Sequence, residues 1–189
     1  MLRQALPNLA YSVSATTRQP RPGERNGVDY FFISDIEFQQ LIDRGELLEW
    51  AEVYSHRYGT VRQAVDEHLR VGRDVLLELD VQGALNVKKL FPDALLIFIK
   101  PPSLQELGDR ITHRGTESAQ DLKLRMDCVS SELQAAERYD RVIINDQPES
   151  ALAELLEIIT EVRRKGLCAL QSFRPGVSTD AEESLNAEE

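Results

Sequence analysis

Cysteine and histidine are scarce in this sequence. Its two cysteines, Cys128 and Cys168, lie far apart with no C-x-x-C partner, and its three histidines have no metal-ligand spacing. A disulfide framework or a structural metal site is therefore excluded as the basis of the fold, and a reducing compartment is favoured. No apolar run approaches the roughly 18 residues of a membrane span, and no signal-peptide pattern opens the chain. We expect a soluble, cytoplasmic protein that does not bind membranes.

Positive charge is in deficit as well. The chain carries 22 basic and 32 acidic side chains, for a formal net charge of -10. A general electrostatic attraction to nucleic acid is therefore not expected, and any bound anion must be met by a local cluster of positive groups. The hydrophobic content of 42% is sufficient for one substantial core.

The hydrophobic periodicity alternates between strand-like and helix-like runs. This alternation predicts an α/β sandwich with a mainly parallel sheet, into which a β-rich subdomain at about 28–60 is inserted. The acidic segment from about 172 onward has almost no apolar content and is expected to be disordered. Strands are predicted at 28–33, 47–53, 74–80, 94–99 and 141–145. Helices are predicted from the capping box at 34–37 to Gly45, from about Arg62 to Gly72 and from Ala84 to Leu90. A further helix begins at the capping box at 103–106, a separate long helix follows the charged stretch 108–127 and ends near Tyr139, and the last helix covers about 149–165.

The stretch "SVSATTRQPRPGERNGVDY" concentrates groups that can bind an anion. Ser14, Thr16 and Thr17 could each donate a hydrogen bond to an anionic oxygen. Arg18 and Arg21 offer planar donor forks that suit a phosphate. The two prolines beside them restrict the backbone, so less freedom is lost on binding. The alternative is a solvated basic turn.

A carboxylate lies inside the apolar stretch "LLEWAEV". Glu49, next to Trp50, would be costly to desolvate without a partner, and the two adjacent N–H donors of a guanine edge would suit it. Tyr58 and Thr60, on either side of Gly59, could close over the same ligand. Spacing along an alternating strand favours the other reading, in which Glu49 points outward.

A second pair of carboxylates ends the predicted strand "DVLLELD". Glu78 and Asp80 lie two residues apart, on one face and near the carboxyl end, where open α/β sheets bind ligands. Such a pair could orient a ribose hydroxyl or hold water around Mg²⁺. Salt-bridged acids at a strand end are the alternative.

Together these residues resemble the guanylate kinase family, whose members transfer the terminal phosphate of ATP to GMP. The resemblance runs from about residue 7 to 166. It is carried by "SVSATTRQPRPGE", "GVDYFF", "LEWAEV", "YGT", "LDVQGA", "PPS", "RGT" and "VIIND", in the family's order. It implies a P-loop-kinase-like three-layer α/β sandwich with an inserted GMP-binding subdomain and a helical lid, and Mg²⁺ as the cofactor.

The resemblance also implies a role for each candidate residue. The GMP phosphate would be held by Ser14, Arg18, Arg21, Tyr30 and Tyr58. Guanine would be read by Glu49 and Thr60, and Glu78 would help to fix the nucleoside. Asp80 would lie near the reacting phosphates and reach Mg²⁺ through water rather than directly. Arg110, Arg114 and Arg125, on the lid, would move onto the ATP phosphates, and Asn145 and Asp146 would lie near adenine.

One family motif is missing from the sequence. Guanylate kinases carry G-x-x-x-x-G-K-[ST], whose amides and lysine bind the ATP phosphates, and no such motif occurs here. We therefore expect the first strand and the phosphate-binding loop to be absent, with self-association through the exposed sheet edge as one consequence. An upstream start in an ordinary guanylate kinase, an inactive GMP-binding remnant and a phosphopeptide-binding scaffold module are the alternatives.

The domain boundaries follow from these assignments. We expect a guanylate kinase-like domain at 1–166, with its GMP-binding region at about 14–75 and its lid at about 103–127. The acidic tail would occupy 167–189.

Overall fold

The structure is a computed structural model, and it describes residues 1–114, 128–129 and 131–165. The strands are β1 (Ala10–Tyr11), β2 (Ser14–Thr16), β3 (Phe31–Phe32), β4 (Leu47–Val53), β5 (His56–Val61), β6 (Val75–Leu76), β7 (Ile97–Lys100) and β8 (Arg141–Ile144). The helices are α1 (Leu2–Ala5), α2 (Asp35–Asp43), α3 (Arg62–Arg70), α4 (Val81–Leu90), α5 (Leu104–Arg114) and α6 (Pro148–Arg164), with a 3₁₀ turn at Ala136–Arg138.

A four-stranded mixed sheet forms the inserted β-rich unit. Its strand order is β3-β2-β5-β4, with β2 parallel to β3 and β5 antiparallel to both β2 and β4. The β4–β5 hairpin turns through Tyr54 and Ser55, whose φ angles are 50° and 65°. Ala15, Phe38 and Leu47 are packed into the core of this unit. The predicted β-rich region at about 28–60 contributes β3, β4 and most of β5, and β2, from outside that region, completes the sheet. This sheet carries several of the candidate site residues described below.

Helix α2 covers one face of that sheet. Its capping box is formed as predicted, because the Ser34 side chain accepts from the Glu37 N–H while the Glu37 carboxylate accepts from the Ser34 N–H. The helix places Phe38 at 0% exposure, and the chain leaves it through Gly45 at a φ of 64°. Left-handed backbone at this position favours glycine, which is why the predicted stop at Gly45 is correct.

Two two-stranded parallel sheets make up the rest of the described β structure. β1 pairs with β6, and β7 pairs with β8 in the register Ile97↔Arg141 to Lys100↔Ile144. Helix α4 follows β6, α5 follows β7 and α6 follows β8, so strands and helices alternate as predicted. In the described part of the chain, no helix is both long and apolar enough to cross a lipid bilayer.

Three predicted strands are shorter or displaced. The strand predicted at 74–80 forms a ladder only at Val75–Leu76, because 77–80 meets no strand within the described residues. The strand predicted at 94–99 begins at Ile97 and ends at Lys100, because these are the residues that pair with Arg141–Ile144 of β8. The strand predicted at 28–33 is reduced to Phe31–Phe32, since the N–H groups of Val28 and Asp29 both donate to the Arg25 carbonyl in a turn.

Helix α4 begins earlier than predicted. The sequence indicates a start at Ala84, whereas the helix starts at Val81. The cause is Asp80, whose Oδ1 accepts from the N–H groups of Gln82 at 2.7 Å and Gly83 at 3.1 Å and so caps the first turn. The predicted acidic strand end is therefore also a helix start.

Candidate functional site

Arg18, in the loop after β2, lies in a cluster with three aromatic rings. The Arg18 guanidinium lies 5.4 Å from the centroid of Tyr30 and 5.7 Å from that of Phe32. Tyr30 in turn meets Tyr58, on β5, edge to face at 6.0 Å. Burial raises the pKa of Tyr30, so its phenol stays a neutral donor at physiological pH. A neutral hydroxyl beside a guanidinium is a suitable donor set for a phosphate.

Glu24 organises this cluster and was missed by the sequence analysis. Its carboxylate receives Arg18 NH1 at 3.0 Å and Arg18 NH2 at 2.9 Å, and also the Arg21 backbone N–H at 2.7 Å. The Arg18 hydrogen bonds lower the Glu24 pKa, and bonds to Glu24 and Tyr58 keep the Arg18 pKa raised although desolvation opposes it. The only sequence signal was an acid three residues after Arg21 in "RPGE".

The hydroxyls of Thr16 and Thr17 hold the loop together. The Thr16 Oγ1 accepts from the Arg18 N–H at 3.1 Å, and the Thr17 Oγ1 accepts from the Arg57 N–H at 3.0 Å. Thr16 is completely buried. Both side chains therefore shape the loop, whereas Ser14, on β2 directly opposite Thr60, remains half-buried within the mixed sheet.

Glu49 is buried, so the outward orientation favoured by spacing is wrong. A register shift between Leu47 and Glu49 breaks the alternation of β4, and Glu49 is 7% exposed while Trp50 is 42% exposed. Bulges of this kind re-aim a side chain across a sheet. The Thr60 hydroxyl, directly across on β5, donates to Glu49 Oε1 at 2.7 Å.

The environment of Glu49 raises its pKa. Desolvation is the main cause, the hydrogen bond from Thr60 opposes it, and the negative charge of Asp80 adds to it. This buried carboxylate, with one oxygen bound to a hydroxyl, is poised to accept a pair of N–H donors from a ligand. It stands on the same sheet as Tyr58 and Thr60, both on β5.

Glu78 and Asp80 have different surroundings. Glu78 is exposed and accepts a hydrogen bond from the Tyr11 hydroxyl at 3.3 Å. Burial, with the nearby charge of Glu78, raises the pKa of Tyr11 to about 12. Asp80 uses Oδ1 to cap α4, and no hydrogen bond links its Oδ2 to another described residue. Tyr11 is a further polar contact that the sequence pattern did not indicate.

Arg110, Asn145 and Asp146 lie together at the carboxyl end of β8. Arg110 donates to the Asn145 carbonyl at 2.9 Å and to the Asp146 carbonyl at 3.4 Å, and its Nε donates to Glu106 at 3.0 Å. Asn145 Oδ1 is buried and has no hydrogen-bond partner within the described part of the chain. Arg114 is the last residue of α5 and its side chain lies outside the described structure, as does the whole of Arg125.

Three features of this α/β protein together define a class: the cluster of Arg18, Tyr30 and Tyr58, the buried carboxylate of Glu49, and the polar carboxyl end of β8. The arginine and tyrosines suit a phosphate monoester, and the carboxylate with its threonine suits a purine edge that offers two N–H groups. This combination is that of a nucleotide-binding α/β protein.

Comparison with known proteins identifies the family. The family model described as guanylate kinase matches residues 1–162. The guanylate kinase of Mycobacterium tuberculosis is 50% identical over 160 residues, which is 84% of this chain and 77% of the relative. That of Thermotoga maritima is 43% identical over 160 residues, with 85% and 77% of the two chains covered. The chain belongs to the guanylate kinase family, whose members are nucleoside monophosphate kinases.

A solved structure supports the same assignment. The crystal structure of guanylate kinase from Anaplasma phagocytophilum superposes with a TM-score of 0.76 at 32% identity, covering 88% of this chain and 82% of that one. The predicted P-loop-kinase-like α/β fold is thereby confirmed.

Proposed function

We propose that this chain phosphorylates GMP to GDP with ATP as the phosphate donor. The observation that carries the proposal is the pair Glu49 and Thr60, buried at 7% and 1% exposure and joined by a 2.7 Å hydrogen bond. The pair lies on the same sheet as Tyr58, which contacts Tyr30 in the cluster around Arg18. A nucleoside monophosphate requires base recognition and phosphate recognition in one site, and this sheet carries residues suited to both.

The chemistry of the pair supports guanine over adenine. The Watson–Crick edge of guanine presents N–H donors at N1 and N2, which a carboxylate accepts side by side. Adenine presents an acceptor at N1, which would face the same carboxylate unfavourably. We assign guanine recognition to Glu49 and Thr60, and phosphate binding to Ser14, Arg18, Arg21, Tyr30 and Tyr58.

The reaction moves one phosphoryl group between two nucleotides. The bond from the γ-phosphorus of ATP to the β–γ bridging oxygen breaks, and a bond forms from that phosphorus to a phosphate oxygen of GMP, giving ADP and GDP. Catalysis then depends on alignment and on neutralising charge. We assign the charge neutralisation to Arg110, Arg114 and Arg125, and the contacts near adenine to Asn145 and Asp146.

Asp80 fits a role beside a hydrated Mg²⁺. Its Oδ1 is committed to the start of α4, which fixes the carboxylate and leaves Oδ2 to accept from a metal-bound water. Within the described residues no group of three or more acidic, histidine or cysteine side chains forms a direct metal cage. Bound Mg²⁺ would neutralise the phosphate charge that develops during transfer. Glu78, with Tyr11 as its partner, would hold the nucleoside.

The test is an ADP-release assay with GMP, ATP and Mg²⁺, coupled with calorimetric titration of GMP into the intact chain. Turnover that requires GMP supports the proposal. GMP binding without turnover would instead identify a binding module, an outcome that the missing G-x-x-x-x-G-K-[ST] motif makes worth measuring. Failure of both would contradict the proposal and favour a phosphopeptide-binding surface.

We further propose that the chain works in the cytoplasm and that it self-associates. The lack of a disulfide motif supports the first, since the two cysteines are far apart in sequence. The second is supported by the described sheets, because β6 and β7 each pair with a strand on one side and lie in separate sheets. Open strand edges of this kind favour pairing with another chain.

A further inference from the structure

Gly83 lies against the carboxylate of Glu49. It is the third residue of α4, it is buried, and its N–H donates to the capping carboxylate of Asp80 at 3.1 Å. A Cβ placed on Gly83 would be 2.6 Å from Glu49 Oε2 and 3.2 Å from Glu49 Cδ. Real Cβ atoms essentially never come as close to a heavy atom as the first of these distances, so the observed position of the Glu49 carboxylate requires a residue without a side chain at 83.

The other side of the carboxylate is fixed as well. Thr60 holds Oε1 through a 2.7 Å hydrogen bond, and Thr60 itself is 1% exposed. Helix α4 packs against β4, the strand that carries Glu49. The carboxylate is therefore held between a hydroxyl on β5 and the bare backbone of α4, and its orientation depends on both.

We propose that Gly83 is a specificity-determining residue, whose missing side chain lets the Glu49 carboxylate adopt the orientation that reads the guanine edge. This inference rests on the proposed function, because it assumes that the bound base is guanine. Gly83 acts through Glu49 and is a positioning residue.

Gly83→Ala is expected to change the recognition of the base without destabilising the fold. The atoms that overlap a Cβ at 83 belong to the end of a flexible glutamate side chain, so Gly83→Ala displaces the carboxylate while the backbone stays in place. Alanine also favours a helix over glycine. A merely structural role for Gly83 predicts the reverse, with no change in base preference and a loss of stability that removing the Glu49 side chain does not restore.

The experiment compares Gly83→Ala with Gly108→Ala. Gly108 is also helical, in α5, but a Cβ there would have nothing within 4 Å. Binding of GMP and of IMP, which lacks the 2-amino group, is measured by calorimetry, and unfolding is followed by circular dichroism. Gly83→Ala is expected to weaken GMP binding by about tenfold or more, as the loss of a hydrogen bond to a charged group implies. Its preference for GMP over IMP should fall, while Gly108→Ala keeps the affinity and preference of the unsubstituted chain.

The outcomes are distinguishable. Unchanged GMP affinity and unchanged preference in Gly83→Ala would overturn the inference while the proposed function stands. No GMP binding by the unsubstituted chain would overturn the proposed function itself.

A second variant covers the case in which Gly83→Ala folds poorly. Adding Glu49→Ala removes both overlapping atoms, and the melting temperature should then recover. A melting temperature that stays low would overturn the inference, because the clash would not involve Glu49.

Discussion

At the residue scale, the site depends on Glu49, whose carboxylate is buried and has lost most of its contact with water. Glu49 is 7% exposed, and its Oε1 accepts a hydrogen bond from the Thr60 hydroxyl. A carboxylate in such surroundings is costly unless its remaining lone pairs find donors. Guanine would supply those donors, so ligand binding relieves a cost that the protein alone carries.

Replacing Glu49 by glutamine should weaken GMP binding. An amide cannot accept two N–H groups side by side with a full negative charge, and the expected loss is about 1.5–3 kcal/mol. Calorimetric titration of Glu49→Gln with GMP measures it. Glu52→Gln is the matched control, since Glu52 lies on the same strand but is exposed. Equal affinities for the two variants would contradict the assignment of Glu49 to guanine.

The raised pKa of Glu49 makes GMP binding sensitive to acid. Burial raises the pKa of Glu49 in the folded state above the ordinary glutamate value of 4.5. The charged form that binds guanine is therefore lost at a higher pH than an exposed glutamate would be. Titrations from about pH 7 down to pH 4.5 should show GMP affinity falling more steeply than for Glu49→Gln, which keeps only the phosphate titration near pH 6.

The same pKa affects folding in the opposite direction. Because the folded pKa lies above the unfolded one, the folded state binds more protons, and stability falls as pH rises from 4.5 through the folded pKa. Urea unfolding of the ligand-free chain should show this decrease, and Glu49→Gln should lack it. A Glu49→Gln profile that parallels the unsubstituted chain across this window would refute the raised pKa.

Arg18 should be sensitive even to a conservative change. Its planar fork makes two bonds to Glu24 and faces the Tyr30 ring, and lysine can reproduce neither geometry. We expect Arg18→Lys to weaken GMP binding by about 1.5–3 kcal/mol while guanosine, which lacks the phosphate, binds as before. Arg44→Lys, on an exposed side chain, is the control. A similar loss for guanosine would show that Arg18 supports the fold rather than the phosphate.

At the scale of single elements, short-range signals define where the helices begin. The capping box of α2 and the Asp80 cap of α4 each satisfy backbone N–H groups that the helix cannot satisfy itself. The two helices then pack around the mixed sheet, α2 through Phe38 and α4 against β4. The helix starts thus determine which residues face the candidate site.

Removing the α2 cap should cost stability without changing the site chemistry. Ser34→Ala loses the side-chain bond to the Glu37 N–H and should destabilise the chain by about 1 kcal/mol. Denaturant unfolding measures the change. Ser150→Ala, at an exposed position inside α6, is the matched control and should be neutral or slightly stabilising. If the two substitutions shift the unfolding midpoint equally, the cap does not stabilise α2.

At the scale of the whole molecule, apolar side chains remain exposed along β7 and β8. Ile99 and Ile144 are each 52% exposed, and β7 has no described strand on its other side. Sedimentation velocity should therefore show association that increases with concentration. Ile99→Lys should reduce it, because a lysine on an edge strand opposes pairing. Ile36→Lys, on α2 where Ile36 is 72% exposed, should leave it unchanged. A monomer at every concentration would rule out this association.

The sequence signals that succeeded are those that act within a few residues. The capping box at Ser34 and the glycine stop at Gly45 gave the correct bounds of α2, because each depends on local hydrogen bonding or backbone freedom. Strand lengths were less accurate. β6 and β7 deviate from their predicted ranges because a ladder extends only where a neighbouring strand lies within hydrogen-bonding distance.

By itself, the sequence determined the family and the alternation of strands with helices, but it did not predict β1, β2 and β5. Ordered motifs and hydrophobic periodicity record those features directly. The tertiary structure decided the rest: that the β4 bulge turns Glu49 inward, that Glu24 pairs with Arg18, and that Gly83 leaves room for the carboxylate. The physical reason is that Glu49 and Gly83 lie on elements distant in the chain, so their geometry exists only once the sheet has formed and α4 has packed against it. The Arg18–Glu24 pair spans only six residues, but it depends on the turn that the chain makes between them.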